Sequence, residues 1–345
     1  MATLGEFALI DRITRLLPLR GEGVVLGPGD DCAVLAPPRG EELVATVDEV
    51  VEGVHFDRRF TPADIGWKAL AVNLSDLASM GARPLWGLVA LALPREERAA
   101  RVLGVMRGVA ACARRFGLAV VGGNVSRAPA LSVSITAVGA VAPGAALTRA
   151  GARPGDLLLG SGTFGDAALG LEEGAAPALA RRQRRPTPRL ALGRALAGIA
   201  RAGIDVSDGL VQDLGHVARA SRVRAVVEVE RLPLSAAYRR RAAGLADPHA
   251  AALAGGEDYE LLLAVPPGRL GAALTAARRA GSSLSVLGRF ERGAGVRVLS
   301  GGQVRPAPVG HDHLRAPAPG FDMGPRASRI RAGGRRPPRT PRGNR

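Results

Sequence analysis

The 345-residue chain contains little cysteine, few aromatic side chains and a single lysine. Its two cysteines, Cys32 and Cys112, lie far apart and form no CxxC pair, which argues against a disulfide scaffold or a zinc site and favours a reducing compartment. We expect both to be small buried side chains. No apolar run reaches the roughly 18 residues of a membrane span, and Glu6 and Asp11 lie where a signal peptide would be basic and then apolar. The sequence therefore predicts a cytoplasmic protein with no membrane partner.

Acids are scarce relative to arginine, and the formal net charge is +16. Half of this excess lies in residues 315–345, where nine arginines accompany one acid, Asp322. Every basic residue except Lys68 is arginine, a bias typical of a GC-rich genome rather than of a selected basic surface. The tail also lacks interleaved aromatic residues and any recognised binding module, so a nucleic-acid-binding protein that uses it is a much weaker alternative to an enzyme. We predict no specific nucleic-acid partner.

Hydrophobic periodicity alternates between strand and helix patterns, which predicts an α/β (α+β) fold. Residues 1–146 form the first predicted domain, residues 147–314 the second, and residues 315–345 a disordered tail rich in Arg, Pro and Gly. The first domain has predicted strands at Glu42–Val51, Pro84–Leu93, Ala119–Val121 and Leu131–Val141, and helices at Ile65–Met80 and Arg95–Phe116. The second has predicted helices at Thr187–Arg201, Ser207–Ser221 and Gly268–Ala280, and strands at Arg224–Val229, Leu261–Val265 and Ser285–Phe290.

Several acids lie in short turns between apolar segments, where they are poor candidates for a solvated helix face. They are Asp30, Asp31, Asp48, Glu49, Asp76, Asp205, Asp208, Glu257 and Asp258. Strand ends commonly hold ligands in α/β folds, and clustered carboxylates repel one another unless cations or protons neutralise them. Oxygen ligands without nearby Cys or His clusters favour Mg²⁺. One such acid alone is more often a turn or cap residue, but five such turns together indicate a site for Mg²⁺ and a polyphosphate.

Glycines offer close backbone approach to phosphate at two places, Gly122–Asn124 after a strand and Gly255–Gly256 before Glu257. The chain has neither a Walker A loop nor the protein-kinase signatures. The segment Gly160–Gly165 matches GxGxxG, so NAD binding is an alternative. It is the weaker one, because the stretch about 20 residues later is arginine-rich where the dinucleotide fold places an acid. Tight strand-to-helix packing would explain these glycines without a cofactor.

Nucleophilic catalysis has little support, since the chain has no GxSxG elbow and neither cysteine lies in an evidently electropositive loop. His311 and His313 have no third metal ligand nearby and are more typical of surface or packing residues. His55 directly follows the acid-bearing strand segment and is retained as a candidate substrate contact.

The chain resembles the thiamine-monophosphate kinase family of the aminoimidazole ribonucleotide synthetase superfamily, from Gly5 to Leu314. The segments that carry the resemblance, in the family's order, are GEFALIDRI, GPGDDCAVL, DEVVEGVHF, DIGWKALAVNLSDLASMGA, GGN, LTRAGARPGD, SGTFGD, RRPTPRL, GIDVSDGLVQDLGH, GGEDYELLL and GHDHL. NLSDLASMGA and GGEDYEL point to this branch over its relatives.

The resemblance implies two α/β domains, a homodimer formed through the N-terminal sheets, and ATP-dependent phosphorylation of thiamine monophosphate to thiamine diphosphate. The acceptor is already an ionised phosphate, so no catalytic general base is expected; positioning and charge neutralisation by several Mg²⁺ ions can do most of the work. The implied Mg²⁺ ligands are Asp31, Thr46, Asp48, Asp76, Asn124, Asp205 and Asp208, with Asp30 ranked next. The implied ATP contacts are Gly123, Asn124, Arg149 and Ser207, and the implied contacts to thiamine monophosphate are His55 and Glu257.

Three positions depart from the family pattern. Val47 stands where a second hydroxyl residue is common, so it offers no side-chain contact to Mg²⁺. Asn124 stands where many members have Asp, which keeps an amide oxygen but removes a charge. Pro308 stands about where a tryptophan commonly stacks on thiamine, a loss of about 1 kcal/mol of cation–π contact. Pro308 keeps open a same-fold enzyme that acts on a different acceptor.

Overall fold

The chain folds around two mixed β-sheets that both pack against helices, and the computed structural model describes residues 5–172, 174–308 and 310. The N-terminal elements are helices α1 (Glu6–Thr14), α2 (Pro62–Ser79) and α3 (Ala99–Phe116) and strands β1 (Val24–Leu26), β2 (Val34–Leu35), β3 (Glu42–Val51), β4 (Arg83–Leu93), β5 (Ala119–Arg127) and β6 (Ser132–Val141). Strands β1 and β2 pair with each other, and the other four form a sheet in the order β3-β6-β4-β5. Only β4 and β5 are parallel in this four-stranded sheet.

The two faces of the four-stranded sheet have different environments. Val89 and Leu91 on β4 are buried in the core under α2 and α3, whereas the alternating Leu88 is 46% exposed on the opposite, outer face. Alternation of side chains along each strand produces this division. Helices α2 and α3 approach closely: a Cβ on Gly66 would lie 1.8 Å from the Val105 carbonyl oxygen. Glycine is therefore required at this crossing.

The C-terminal elements build a seven-stranded sheet in the order β13-β12-β9-β11-β7-β10-β8. Its strands are β7 (Leu157–Ser161), β8 (Ala202–Asp205), β9 (Arg224–Glu228), β10 (Leu261–Val265), β11 (Leu284–Glu291), β12 (Gly295–Ser300) and β13 (Gln303–Arg305). The helices are α4 (Asp166–Gly170), α5 (Pro177–Arg184), α6 (Leu190–Leu196), α7 (Leu210–Ser221), α8 (Ala236–Ala242), α9 (Ala250–Ala254) and α10 (Leu270–Arg279), with short 3₁₀ turns at Val229–Arg231 and Pro267–Arg269. Because all neighbouring pairs except β9 and β12 are antiparallel, the fold is better described as α+β.

Helix α2 joins the two halves of the molecule. It begins with Pro62 in its first turn and a capping box, in which Thr61 and Asp64 satisfy each other's backbone N–H groups. On its C-terminal side, Ser75 Oγ donates to Asp205 Oδ2 at 2.6 Å, at the end of β8. Trp67 Nε1 donates to the Pro186 carbonyl at 2.9 Å, before α6. One helix therefore contacts both sheets and fixes their relative position at the site.

Several sequence-based bounds are wrong. Helix α3 begins at Ala99, not Arg95, and has no acid in its first turn, because Glu97 N–H closes a turn onto Pro94 instead. The helix predicted at Thr187–Arg201 is shorter and corresponds to α6, Leu190–Leu196. Pro188 disfavours helical backbone at the residue before it, and Gly198 (φ +77°) ends the helical segment ahead of β8. The strand predicted at Ala119–Val121 continues to Arg127 along β4. The helix predicted from Ser207 begins at Leu210.

Other predictions have mixed outcomes. Strands at Glu42–Val51 and Leu261–Val265 are confirmed with the same bounds. Cys112 is buried as predicted, but Cys32 is exposed, since it lies in the turn between β1 and β2. In the described part of the chain, no helix is long and apolar enough to cross a membrane. The predicted disordered tail, His311 and His313 lie outside the described residues, and the domain boundary at residues 146 and 147 stays a prediction.

Candidate active site

Five aspartates from β3, α2, the end of β8 and the segment around the start of α7 form a group that we call the carboxylate cluster. Its members are Asp48, Asp76, Asp205, Asp208 and Asp213. They influence one another electrostatically: Asp76 and Asp208 act on Asp48, and Asp76 and Asp213 act on Asp205. Four of the five belong to the sequence-predicted Mg²⁺ ligands. The fold thus brings together acids that are up to 165 positions apart in the chain.

Polar side chains of β3 and α2 orient the cluster. Thr46 Oγ1 donates to Asp76 Oδ2 at 2.5 Å, which joins two predicted Mg²⁺ ligands. The Asp48 backbone N–H donates to Asn73 Oδ1 at 3.0 Å, so helix α2 also holds the strand that carries Asp48. Ser75 connects the same helix to Asp205. Hydroxyl and amide groups of β3 and α2 therefore hold the carboxylates of Asp76 and Asp205 and the backbone that carries Asp48.

Asp213 holds the turn that carries Ser207 and Asp208. Its Oδ2 accepts backbone N–H bonds from Ser207, Asp208 and Gly209 at 3.0, 3.0 and 3.1 Å. Gly209 has φ +126°, a conformation that side chains rarely adopt. Because these three N–H groups are used by Asp213, they cannot also bind an incoming phosphate while this arrangement persists.

Burial and mutual repulsion disfavour full ionisation of the cluster. Burial, followed by repulsion from Asp76 and Asp208, raises the pKa of Asp48 to about 6. Burial raises the pKa of Asp76, although the Thr46 hydrogen bond and the Arg149 charge partly offset this. Burial and then Asp76 raise the pKa of Asp205 well above its ordinary value. Burial and then Asp208 raise the pKa of Asp213 to about 7. A nearby cation would favour the ionised form of these carboxylates, whose pKa values are raised by burial and repulsion.

The donor set fits a hydrated oxygen-binding cation better than a closed metal cage. Among the residues that the structure describes, no group of three or more His, Cys, Asp or Glu side chains is arranged to hold a metal ion directly. Mg²⁺ usually keeps several waters and binds through one or two carboxylates plus substrate phosphates. Asp48, Asp76 and Asp205 supply carboxylate oxygens of this kind, and their mutual repulsion favours a bound cation.

A second polar group lies beside the cluster, around Glu257. Lys68 Nζ lies 2.6 Å from Glu257 Oε1 and donates to the His55 carbonyl at 2.9 Å. Gln183 Nε2 donates to Glu257 Oε2 at 2.8 Å. Glu257 has φ +66° and Tyr259 has φ +51°, and such strained backbone is concentrated at functional sites. The structure therefore links the two predicted thiamine monophosphate contacts, His55 and Glu257, through one lysine.

The remaining predicted site residues are not all joined to the cluster. Arg149 is close enough to act on Asp76. Asp31 lies in the exposed turn between β1 and β2, where its N–H donates to Asp30 Oδ1 at 2.8 Å. Gly123 and Asn124 lie on β5, opposite Val89 and Ala90 of β4.

The register of β5 places Asn124 on the outer face of the sheet with Ala90, whereas Thr46 projects towards α2. A Cβ on Gly123 would lie 2.0 Å from the Val89 carbonyl oxygen, so strand pairing alone requires this glycine. Val47 is also on the outer face, 62% exposed. A hydroxyl residue at position 47 would therefore point away from Asp76 of the same chain, and Val47 removes no contact to it.

The GxGxxG segment is explained by packing. Gly162 (φ +55°) leaves room for Glu260, whose Oε1 would lie 2.1 Å from a Cβ there. Gly165 (φ +81°) lies against Tyr238. Its N–H and that of Ala167 donate to the carboxylate of Asp258, at 2.6 and 3.3 Å. An acid of the chain itself therefore lies where NAD binding would need a pyrophosphate.

Comparisons with known proteins agree with this arrangement. Residues 29–141 match the family model "AIR synthase related protein, N-terminal domain" and residues 153–300 match "AIR synthase related protein, C-terminal domain". A thiamine-monophosphate kinase from Salmonella typhimurium is 41% identical over 298 residues, which cover 83% of this chain and 90% of the relative. The chain belongs to the thiamine-monophosphate kinase family. The fold class and the resemblance drawn from the motifs are thereby confirmed.

Solved structures extend the family assignment. The thiamine-monophosphate kinase of Stenotrophomonas maltophilia K279a has a TM-score of 0.78 and 43% identity, covering 86% of this chain and 97% of that one. The structure "AaThiL complexed with AMPPCP and TMP" has a TM-score of 0.72 and 34% identity, covering 90% and 97%. The family thus includes a member captured with these two ligands.

Some residues of the candidate site were missed by sequence reasoning. They are Lys68, Asn73, Ser75, Gln183 and Asp213. Asn73 and Ser75 gave a signal, because they are polar residues in the apolar run that leads to Asp76. Lys68 gave another as the single lysine. Gln183 lies in an arginine-rich stretch that gave none.

Proposed function

We propose that the chain catalyses ATP-dependent phosphorylation of thiamine monophosphate to thiamine diphosphate, in thiamine diphosphate biosynthesis. The observation that carries the proposal is the carboxylate cluster lying beside the Lys68–Glu257 group, in a chain about 40% identical to thiamine-monophosphate kinases over most of its length. A related structure with AMPPCP, a non-hydrolysable analogue of ATP, and TMP supports both substrates.

Several Mg²⁺ ions would be held by Asp48, Asp76, Asp205 and Asp208, with Thr46 as a further oxygen donor. Bound Mg²⁺ would neutralise the phosphates of ATP and the charge that develops during transfer. The acceptor phosphate needs no proton removed, so the task of the protein is in-line alignment, and no side chain is proposed as a general base. Gly123, Asn124, Arg149 and Ser207 remain the proposed ATP contacts, and Asp31 and Asn124 remain proposed metal ligands.

On the acceptor side, we propose that His55 and Glu257 contact thiamine monophosphate. Pro308, which is half-buried, offers no aromatic ring for stacking on the thiamine. An enzyme of the same fold with another phosphorylated acceptor is therefore the second candidate function.

A homodimer is proposed from the outer face of the four-stranded sheet. Leu43, Val47 and Leu88 project from this face and are 48%, 62% and 46% exposed. Exposed apolar side chains aligned on one face of a sheet are typical of a protein interface. Light scattering should give twice the chain mass, and Val47→Asp should shift it towards the monomer. The cytoplasm is the proposed location, supported by two free cysteines.

The test of function is turnover of thiamine monophosphate with ATP and Mg²⁺, followed by chromatography of thiamine diphosphate. Free thiamine as acceptor and omission of metal are the controls. Mg²⁺-dependent formation of the diphosphate from thiamine monophosphate alone is the expected result. Binding of ATP without any diphosphate product would refute the proposed acceptor and favour the second candidate.

A further inference from the structure

Lys68 is the single lysine of the chain, and its side chain is 1% exposed. Of the 47 lysines and arginines, the other 46 are all arginine, so position 68 is the one place where the sequence uses lysine. Lysine supplies a compact ammonium with three donors, whereas arginine presents a larger planar fork. The site itself therefore requires the smaller cation.

The contacts of Lys68 explain this requirement. Its Nζ is 2.9 Å from the His55 carbonyl oxygen, 2.6 Å from Glu257 Oε1 and 5.4 Å from the centre of the Phe60 ring. Glu257 belongs to the C-terminal half and His55 to the N-terminal half, so the ammonium bridges the two. A guanidinium would have to extend into space that these three partners already occupy.

We propose that Lys68 is a positioning residue that sets the acceptor-binding edge of the site by joining the His55 turn to the Glu257 carboxylate. This inference rests on the proposed function, because His55 and Glu257 are the proposed contacts to thiamine monophosphate. Lys68 does not itself touch the reacting atoms; it acts through these two residues.

Glu257 is held from three directions, which makes its position depend on Lys68. Lys68 binds one carboxylate oxygen, Gln183 binds the other at 2.8 Å, and the Glu257 N–H donates to the Ser207 carbonyl at 2.8 Å. The positive φ of Glu257 is a strained conformation that its surroundings must maintain. Loss of Lys68 removes the only cation that the structure shows paired with this carboxylate within its described residues. The carboxylate would then relax, and acceptor binding would suffer before ATP binding does.

The single lysine allows a direct test on the whole, unmodified chain. Protein labelled with [ε-¹³C]lysine gives one side-chain resonance, which reports on Lys68 alone. Saturation with thiamine monophosphate should move this resonance, whereas saturation with Mg²⁺ and a non-hydrolysable ATP analogue should leave it in place. An unmoved resonance, with calorimetry verifying that thiamine monophosphate is bound, would overturn the inference.

Kinetics provide the second test. Lys68→Met should raise the KM for thiamine monophosphate about tenfold or more, with the KM for ATP nearly unchanged. Arg201→Met is the matched control, because it also removes a cation from a buried carboxylate, Asp156 at 2.8 Å, but away from the cluster. The control should keep both KM values.

The double variant Lys68→Met/Glu257→Gln separates positioning from a merely structural role. Its rise in KM should be smaller than the product of the two single effects, since Lys68 acts through Glu257. A full product, or equal rises in both KM values, would overturn the inference. If Lys68→Met does not fold, the lysine resonance of the wild-type chain decides. Failure of the wild-type chain to make thiamine diphosphate would refute the proposed function instead.

Discussion

Replacement of Asp76 by asparagine should lower kcat/KM about 100-fold or more while leaving the fold intact. Asp76 occupies the centre of the carboxylate cluster: it accepts a hydrogen bond from Thr46 and repels both Asp48 and Asp205. Asparagine has nearly the same shape and keeps an oxygen that Thr46 can bind. The substitution therefore removes a charge and changes little else.

Two opposing terms set the effect on stability. Relief of repulsion with Asp48 and Asp205 should stabilise the metal-free fold by roughly 1–2 kcal/mol, the scale expected for like charges in a partly solvated interior. A weaker, uncharged hydrogen bond from Thr46 should cost roughly 1 kcal/mol. The expected net change in the free energy of unfolding is between zero and about 1 kcal/mol of stabilisation.

The effect on catalysis should be much larger. A metal ion supplies several kcal/mol of charge stabilisation, and each 1.4 kcal/mol is about tenfold in rate, so kcat/KM should fall about 100-fold or more. Urea unfolding without metal and turnover with Mg²⁺ measure the two quantities. Asp64→Asn is the matched control, because Asp64 lies on the same helix but is paired with Arg185 outside the cluster. It should lose about 1 kcal/mol of stability through its cap and keep most activity.

Turnover of Asp76→Asn within about threefold of wild type, or a loss of more than about 2 kcal/mol in stability, would contradict this role of Asp76. The first result would mean that Asp76 binds no catalytic metal. The second would mean that its charge is balanced within the folded chain.

Three further predictions concern pH, thiols and packing. Without metal, the free energy of unfolding should fall as the pH rises from about 5 to about 8. The reason is that the folded chain still holds protons on Asp48 (pKa about 6) and Asp213 (pKa about 7) that the unfolded chain has already released. Mg²⁺ should therefore raise the melting temperature more at pH 8 than at pH 5, and an equal rise at both pH values would contradict this. A thiol reagent should label Cys32 rapidly and Cys112 only after unfolding, since burial raises the pKa of the Cys112 thiol; two fast-reacting thiols per native chain would be the contrary result. Gly66→Ala should destabilise the chain by about 3 kcal/mol or more by forcing α2 and α3 apart, and an unchanged urea midpoint would show that the crossing can relax.

The sequence predicted elements well where a local pattern matches burial. Leu261–Val265 is apolar throughout and is a fully buried central strand. It failed where tertiary pairing overrides local signals: Gly122 and Gly123 look like the end of a strand, but β4 pairs with them and extends β5 to Arg127. The false start of α3 has a local origin: acids after a proline resemble a helix terminus in sequence, but Glu97 N–H closes a turn onto Pro94 first.

The acidic residues of the candidate site could be predicted from the sequence, but the side chains that hold them in place could not. Asp48, Asp76, Asp205 and Asp208 were recognisable as acids placed in turns, and the fold brings them together. Ser75 became visible as a partner of Asp205 only in the structure, since that bond joins residues 130 positions apart. Asn124 projects from the sheet face opposite Thr46, which no motif could indicate.

Helix α2 carries Asp76 on the proposed metal side and Lys68 on the proposed acceptor side, eight residues apart and hence about 12 Å along the axis. The spacing between the proposed metal side and the proposed acceptor side is thus set by one helix rather than by flexible loops. We expect substitutions around Lys68 to change acceptor binding while leaving the Asp76 end of the helix in place. This separation explains physically how one scaffold could change its phosphate acceptor during evolution while keeping its use of ATP.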